Sequence, residues 1–140
     1  MSSTKEHHWV GVEPDPDKYY GFVYLITNNT NGKRYIGRKF YHIYVKKKKA
    51  RDSNWRTYTG SCKPLTEDIK ELGKENFTFE ILGQYYTRSN VLYYECNYQH
   101  KMDVLMERDT YGERVWYNAR IDAIRFVPID EKTRYGTGND

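Results

Sequence analysis

Gly21-Phe22-Val23-Tyr24-Leu25-Ile26-Thr27, then Asn28-Asn29-Thr30-Asn31-Gly32, then Lys33-Arg34-Tyr35-Ile36-Gly37-Arg38-Lys39, places two runs rich in Val, Ile, Phe and Tyr on either side of an Asn-Gly pair. Such residues suit strands, and Asn-Gly readily takes positive φ at both central positions of a type I′ turn, so the stretch predicts a β-hairpin. With Asn31-Gly32 as the turn, Thr30 pairs with Lys33, Asn28 with Tyr35, Ile26 with Gly37 and Tyr24 with Lys39. Opposed residues share a face. Two phenols, a glycine and an ammonium then lie on one surface, where Gly37 opens the backbone to close approach. Strand propensity alone also accounts for tyrosines here, since the chain holds fifteen of them.

On the C-terminal side, Phe40 to Tyr44 alternates aromatic and polar residues, which fits either a longer strand or the start of a helix. Lys46-Lys47-Lys48-Lys49 and Arg51 follow without apolar anchors. A solvated loop or exposed helix face explains this run as well as a phosphate-tracking loop does, in which Lys and Arg neutralise a nucleic-acid backbone with little sequence choice. Pro64 then opens a helix with Leu65, Ile69 and Leu72 on one face, and Gly73 stops it. Asn76 to Tyr85 predicts a third strand with Phe77, Phe79 and Ile81 on one face and a turn at Gly83.

Thr87 or Ser89 caps the longest helical segment, expected to run to about Glu107 with Val91, Tyr94, Tyr98, Met102 and Leu105 as its apolar stripe. Glu95 falls inside that stripe, roughly 40° from Val91 and 20° from Met102 at about 100° per residue. A carboxylate there needs a partner. An internal ion pair with Lys or Arg satisfies it, and so does a divalent cation such as Mg²⁺, which keeps several waters and seldom needs an all-protein cage. Arg114 to Tyr117 reads as a short β-like run ending at Asn118.

Length and composition bound these readings. The 140 residues suit one domain, and a net charge of +4 does not by itself demand a nucleic-acid partner. Apolar residues make up 38% and aromatics 16%, so large rings must furnish much of the core. No run of eighteen apolar residues and no charged-then-apolar leader is present, so the expectation is a soluble, intracellular protein without a membrane span. Cys62 and Cys96 are too few and too far apart for a zinc or disulfide framework. Residues 1–18, with Pro14 and Pro16 between acids, read as a flexible arm, 19–129 as the folded domain and 130–140 as a fraying tail. Adjacent His7 and His8 point apart on an extended arm, against a metal pair.

Gly21-Phe22-Val23-Tyr24 followed eleven residues later by Tyr35-Ile36-Gly37 resembles the signature hairpin of the GIY-YIG endonuclease superfamily, with Val-Tyr replacing Ile-Tyr. The likeness covers residues 20 to 120, and Asp52-Ser53-Asn54-Trp55 through Tyr58-Thr59-Gly60-Ser61 resembles small phage-type or mobile-element members. It implies an α/β (α+β) fold, a small three-stranded antiparallel sheet with flanking helices, and a DNA endonuclease located in a bacterial or phage-infected cytoplasm. It further implies Tyr24 as base for the water, Tyr35 as phosphate-positioning group, Glu95 as ligand of one Mg²⁺ (or Mn²⁺), and Asn118 as the late asparagine supporting the site. Many members carry a helical arginine about ten residues past the second tyrosine, where this chain has Val45. The hairpin register favours Lys39 for that charge, then Arg38, with Lys46, Arg51 or Arg56 as further choices. Tyr58 is preferred to His42 as the assisting side chain. Lys46 to Lys49 and Arg51 are the expected DNA-binding residues, and a homodimer is left open because cutting two strands from one site needs a second copy or a second event. The alternative is a noncatalytic nucleic-acid-binding module that uses the same basic loop and rings.

Overall fold

The computed structural model describes residues 6–124. The expected tail at 130–140 and the first five residues of the expected arm lie outside them. Within them a four-stranded sheet is built from β1 (Trp9–Gly11), β2 (Gly21–Asn28), β3 (Arg34–Phe40) and β6 (Phe77–Tyr85), in the order β1-β6-β2-β3. A separate two-stranded ribbon, β4 (His42–Val45) and β5 (Lys48–Asp52), follows β3. The helices are α1 (Lys63–Leu72) and α2 (Arg88–Lys101). The fold is α+β as expected, with a fourth strand added.

That strand comes from the segment read as a flexible arm, which is a correction to residues 6–18. β1 pairs parallel with β6, Trp9 opposite Phe79. The Trp9 indole N–H donates to the Trp55 carbonyl at 2.6 Å, and its ring packs at 5.0 Å from Phe22. One buried tryptophan outweighs the polar composition around it, because its large apolar area is removed from water.

The hairpin β2–β3 forms, but its register is two residues away from that expected: Thr27 pairs with Arg34, Ile26 with Tyr35, Tyr24 with Gly37 and Phe22 with Lys39. Asn28 takes over the turn. Its carbonyl accepts from Gly32 N–H at 2.7 Å, and its Oδ1 accepts from Thr30 N–H at 3.0 Å and Thr30 Oγ1 at 2.6 Å. These bonds favour a longer loop over the two-residue turn. A shift of two keeps every side chain on its expected face, so the partition of the sheet survives.

Phe22, Tyr24, Ile26, Phe77, Phe79 and Ile81 pack with Leu65 and Ile69 of α1 on one face. Val23, Ile36, Val104 and Trp116 pack on the other face, joined by Tyr98 of α2. Between Val23 and Tyr24 the β2–β6 register slips, leaving Leu82 as the extra residue of a bulge. α2 is capped by Thr87, whose Oγ1 accepts from Asn90 N–H at 3.1 Å.

Two further corrections concern α2 and the basic run. α2 ends at Lys101 rather than near Glu107, and its buried face is Val91, Glu95 and Gln99, whereas Tyr94 and Met102 are exposed. The apolar stripe is rotated because Glu95 and Gln99 find polar partners on β3 that hydropathy does not register. The run from Lys46 is neither loop nor helix: Lys46 (φ 52) and Lys47 (φ 67) form the two-residue turn of the ribbon, with Val45 opposite Lys48. No helix among the described residues is long and apolar enough to cross a membrane.

Candidate active site

β3 is an edge strand, and residues 115–118 partly cover its outer side. Arg34 N–H donates to the Val115 carbonyl at 3.0 Å, and Tyr117 N–H to the Arg34 carbonyl at 2.7 Å, so the expected β-like run is a parallel bridge at Trp116. Asn118 continues this pairing with its side chain. Its Oδ1 accepts from Ile36 N–H at 3.0 Å and its Nδ2 donates to the Ile36 carbonyl at 2.9 Å, so the amide stands in for the next strand residue. Tyr117 beside it takes the Asn28 amide at 3.0 Å and donates to Asp68 of α1 at 2.6 Å. Together Tyr117 and Asn118 tie the hairpin to α1 and extend the outer edge of β3.

A cleft of about 490 Å³ opens beside β3 and is bordered by Tyr24, Tyr35, Arg38, Lys39, Tyr58 and Glu95. Side chains from both sheet faces reach it, Tyr35 and Lys39 from the α1 side and Arg38 from the α2 side. Of the residues expected to be catalytic, only Asn118 is absent from its lining. Asn118 borders a neighbouring cleft of about 470 Å³ that shares Tyr35, Arg38 and Glu95. Lys46 to Lys49 and Arg51 border neither cleft and lie along the ribbon.

Tyr24 lies directly over Gly37. A Cβ built there would meet the Tyr24 Oη, come within 2.6 Å of Tyr24 Cζ and lie 2.9 Å from Tyr35 Cε2, so glycine is required for the two rings to share the site. The rings are 6.2 Å apart, and Tyr58 packs edge-on against Tyr24 at 6.1 Å. Burial pushes the Tyr24 phenol well above its ordinary range, with Tyr35, Tyr58 and Glu95 adding to the effect and Arg38 opposing it. Burial likewise raises Tyr35 to about 12. Both phenols are therefore protonated donors near neutral pH. The expected lysine opposite Tyr24 is replaced by Gly37; Lys39 faces Phe22, its Nζ sits 3.9 Å from the Tyr58 ring centroid, and burial lowers its pKa.

The Glu95 carboxylate reaches the cleft from α2. Its Oε1 accepts from Arg38 Nη1 at 2.9 Å, and its Oε2 lies 3.4 Å from the Gln99 amide, whose Nε2 also donates to the Ile36 carbonyl at 3.1 Å. Burial raises the Glu95 pKa and the Arg38 guanidinium pulls it back. Both partners of the internal ion pair are thus in the cleft, and Oε2 is the less engaged oxygen. Among the described residues no group of three or more His, Cys, Asp or Glu could form a protein cage for a metal.

Sequence reasoning missed Gln99 and Arg88. Gln99 follows Glu95 by one helical turn, a spacing that signals a shared face. Arg88, in the first turn of α2, borders the cleft with its Cζ 6.0 Å from the Phe40 ring and pairs with no carboxylate among the described residues. It lies too far along the chain for a motif count to find. His42 also borders the cleft, its Nε2 3.4 Å from Asp52 Oδ1.

The family model described as "Putative endonuclease segE, GIY-YIG domain" matches residues 3–121, a span containing every cleft residue named above. The curated "Putative endonuclease segE" of Enterobacteria phage T4 is 37% identical over 76 residues, covering 54% of this chain and 32% of that protein. The match thus spans about a third of that relative's length. No solved structure matches the chain. With the family model running from before β1 to beyond Asn118, the chain belongs to the GIY-YIG endonuclease family, in its segE-type branch.

Proposed function

We propose that the chain is a DNA endonuclease hydrolysing phosphodiester bonds in the cleft beside β3. The observation that carries this reading is the convergence of Tyr24, Tyr35, Arg38, Lys39, Tyr58 and Glu95 on one cleft from β2, β3, α2 and the loop before α1. Hydrolysis needs an oriented water, a proton acceptor and positive charge for the pentacovalent phosphate. Tyr24 and Tyr35 hold the water and a phosphate oxygen through their hydroxyls, and Tyr24, once ionised, takes the proton of the attacking water while the leaving oxygen is protonated from solvent. Its raised pKa makes that role dependent on cationic charge brought close on binding. Arg38, Lys39 and Arg88 neutralise the phosphate. Asn118 and Gln99 act through the Ile36 peptide, keeping the Tyr35-Ile36-Gly37 strand in place.

A single carboxylate with one lightly held oxygen fits one Mg²⁺ or Mn²⁺, the remaining ligands being water and phosphate oxygens. Glu95 would hold it, and it would supply charge neutralisation at the phosphate. The test is supercoiled plasmid incubated with Mg²⁺ or with EDTA: nicked or linear product in the first and none in the second supports the reading.

One observation favours the noncatalytic binding module, namely that Arg38 already engages Glu95. In that case plasmid is retarded on a gel and never cut.

A further inference from the structure

The β4–β5 ribbon stands apart from the main sheet and every residue of β5 is exposed. Its tip is a two-residue turn with Lys46 and Lys47 both at positive φ, a backbone that L side chains other than Asn and Asp rarely adopt. The turn is therefore held by the pairing of its strands rather than by local preference, and it projects two ammonium groups from the far end. Lys48, Lys49 and Arg51 add three more along β5.

These charges have no internal use. Lys46, Lys47, Lys48, Lys49 and Arg51 make no ion pair with a carboxylate among the described residues. The ribbon's one carboxylate, Asp52, sits at its base, engaged by His42 at 3.4 Å and Arg56 at 3.5 Å. Ile43 and Val45 are also exposed, 36% and 53%, two residues apart on β4. An apolar pair framed by ammonium groups on a free ribbon is suited to something anionic at its margins and partly apolar within.

The base of the ribbon supplies Ile43 and Tyr44 to the rim of the cleft, where Tyr44 stacks on Tyr20 at 4.7 Å. Whatever the ribbon touches thus adjoins the cleft. Four strand residues extend about 13 Å, and the paired strands lie about 4.8 Å apart. With side chains this fits the major groove, about 12 Å wide and about 8.5 Å deep, and not the minor groove at about 6 Å.

We propose that the ribbon enters the major groove of duplex DNA beside the phosphate held in the cleft, with its lysines on the flanking phosphates and Ile43 and Val45 toward the base edges. This rests on the nuclease reading.

The decisive variant is Lys46→Asn with Lys47→Gly, which removes two charges while installing the residues a type I′ turn prefers. Binding of the full chain to a mixed-sequence duplex is followed by fluorescence anisotropy in EDTA, across a salt series, with methyl green blocking the major groove or netropsin the minor. The variant should melt at or above the wild-type temperature yet bind more weakly, with its log K against log salt slope reduced by about two. Methyl green should weaken wild-type binding about tenfold and netropsin little, and single strands of equal length should bind more weakly than duplex. Competition by netropsin alone, or variant binding equal to wild type, overturns the ribbon proposal. A wild-type chain that nicks plasmid but ignores methyl green overturns this proposal alone; one that neither binds nor cuts DNA overturns the nuclease reading with it.

Discussion

Arg38 Nη1 lies 2.9 Å from Glu95 Oε1, joining the residue after Tyr35-Ile36-Gly37 to the middle of α2 across the rim of one cleft. The pair fixes where the carboxylate points and would compete with the proposed cation for it. Glu95→Ala should therefore abolish cleavage of supercoiled plasmid in Mg²⁺. Because the Arg38 side chain is 33% exposed, its loss of a partner should destabilise the fold by only about 1–2 kcal/mol, below the figure for a fully buried pair. Wild-type cutting that still requires Mg²⁺ would remove Glu95 as the metal ligand.

Tyr24→Phe keeps the ring that covers Gly37 and deletes only the hydroxyl. Stability should change by about 1 kcal/mol, while single-turnover cleavage should fall a hundredfold or more, at the level of removing an acid–base group. Tyr35→Phe should behave alike. Normal cleavage by both variants would make these rings packing residues.

Gly37→Ala tests the same crowding from the other strand. The new methyl meets the Tyr24 and Tyr35 rings, so an overpacking loss of about 1–3 kcal/mol is expected together with loss of activity. Urea denaturation and plasmid nicking read the two effects separately.

Asn118→Asp should be as harmful as Asn118→Ala. A carboxylate still accepts from Ile36 N–H but faces the Ile36 carbonyl without a donor, so each change should remove about 1–3 kcal/mol. Because the strand shifts with its peptide, kcat should fall more than duplex affinity. An Asp variant with wild-type melting and activity would show that the amide donor is dispensable.

His8 stacks on Phe79 at 4.0 Å, and its burial lowers its pKa to about 4. A folded-state pKa below the unfolded value of about 6.5 favours the neutral ring, so this stabilisation is complete above pH 6.5 and lost as pH falls through about 4. With the ring only partly buried, the loss should be about 1–2 kcal/mol. His8→Phe should retain more of its stability between pH 6.5 and 4 than wild type in urea titrations. Parallel decline of the two proteins would show that His8 does not anchor β1.

The legibility of these features followed the range of the interactions behind them. The hairpin, α1 with its Gly73 stop, the Phe77-Phe79-Ile81 face and the Thr87 cap depend on residues a few positions apart, so periodicity and turn chemistry predicted them. Tyr24, Tyr35 and Glu95 were singled out by short motifs and one polar residue in an expected apolar stripe, and the structure brings all three to one cleft. The register failed because Asn28, a residue of the strand pattern, used its side chain to rebuild the turn.

The chain alone determined which side chains share a face, since a register error of two residues leaves the parity of every strand position intact. It also determined that Glu95 needed a partner, since burying an unpaired carboxylate is costly anywhere. Only the tertiary structure decided that the partner is Arg38, that the buried face of α2 runs through Gln99, that Trp9 docks a segment of polar composition, and that Asn118 acts as a strand residue by its amide. In each case the deciding contact joins positions more than forty residues apart, and a hydropathy pattern holds no record of which distant donor meets which acceptor.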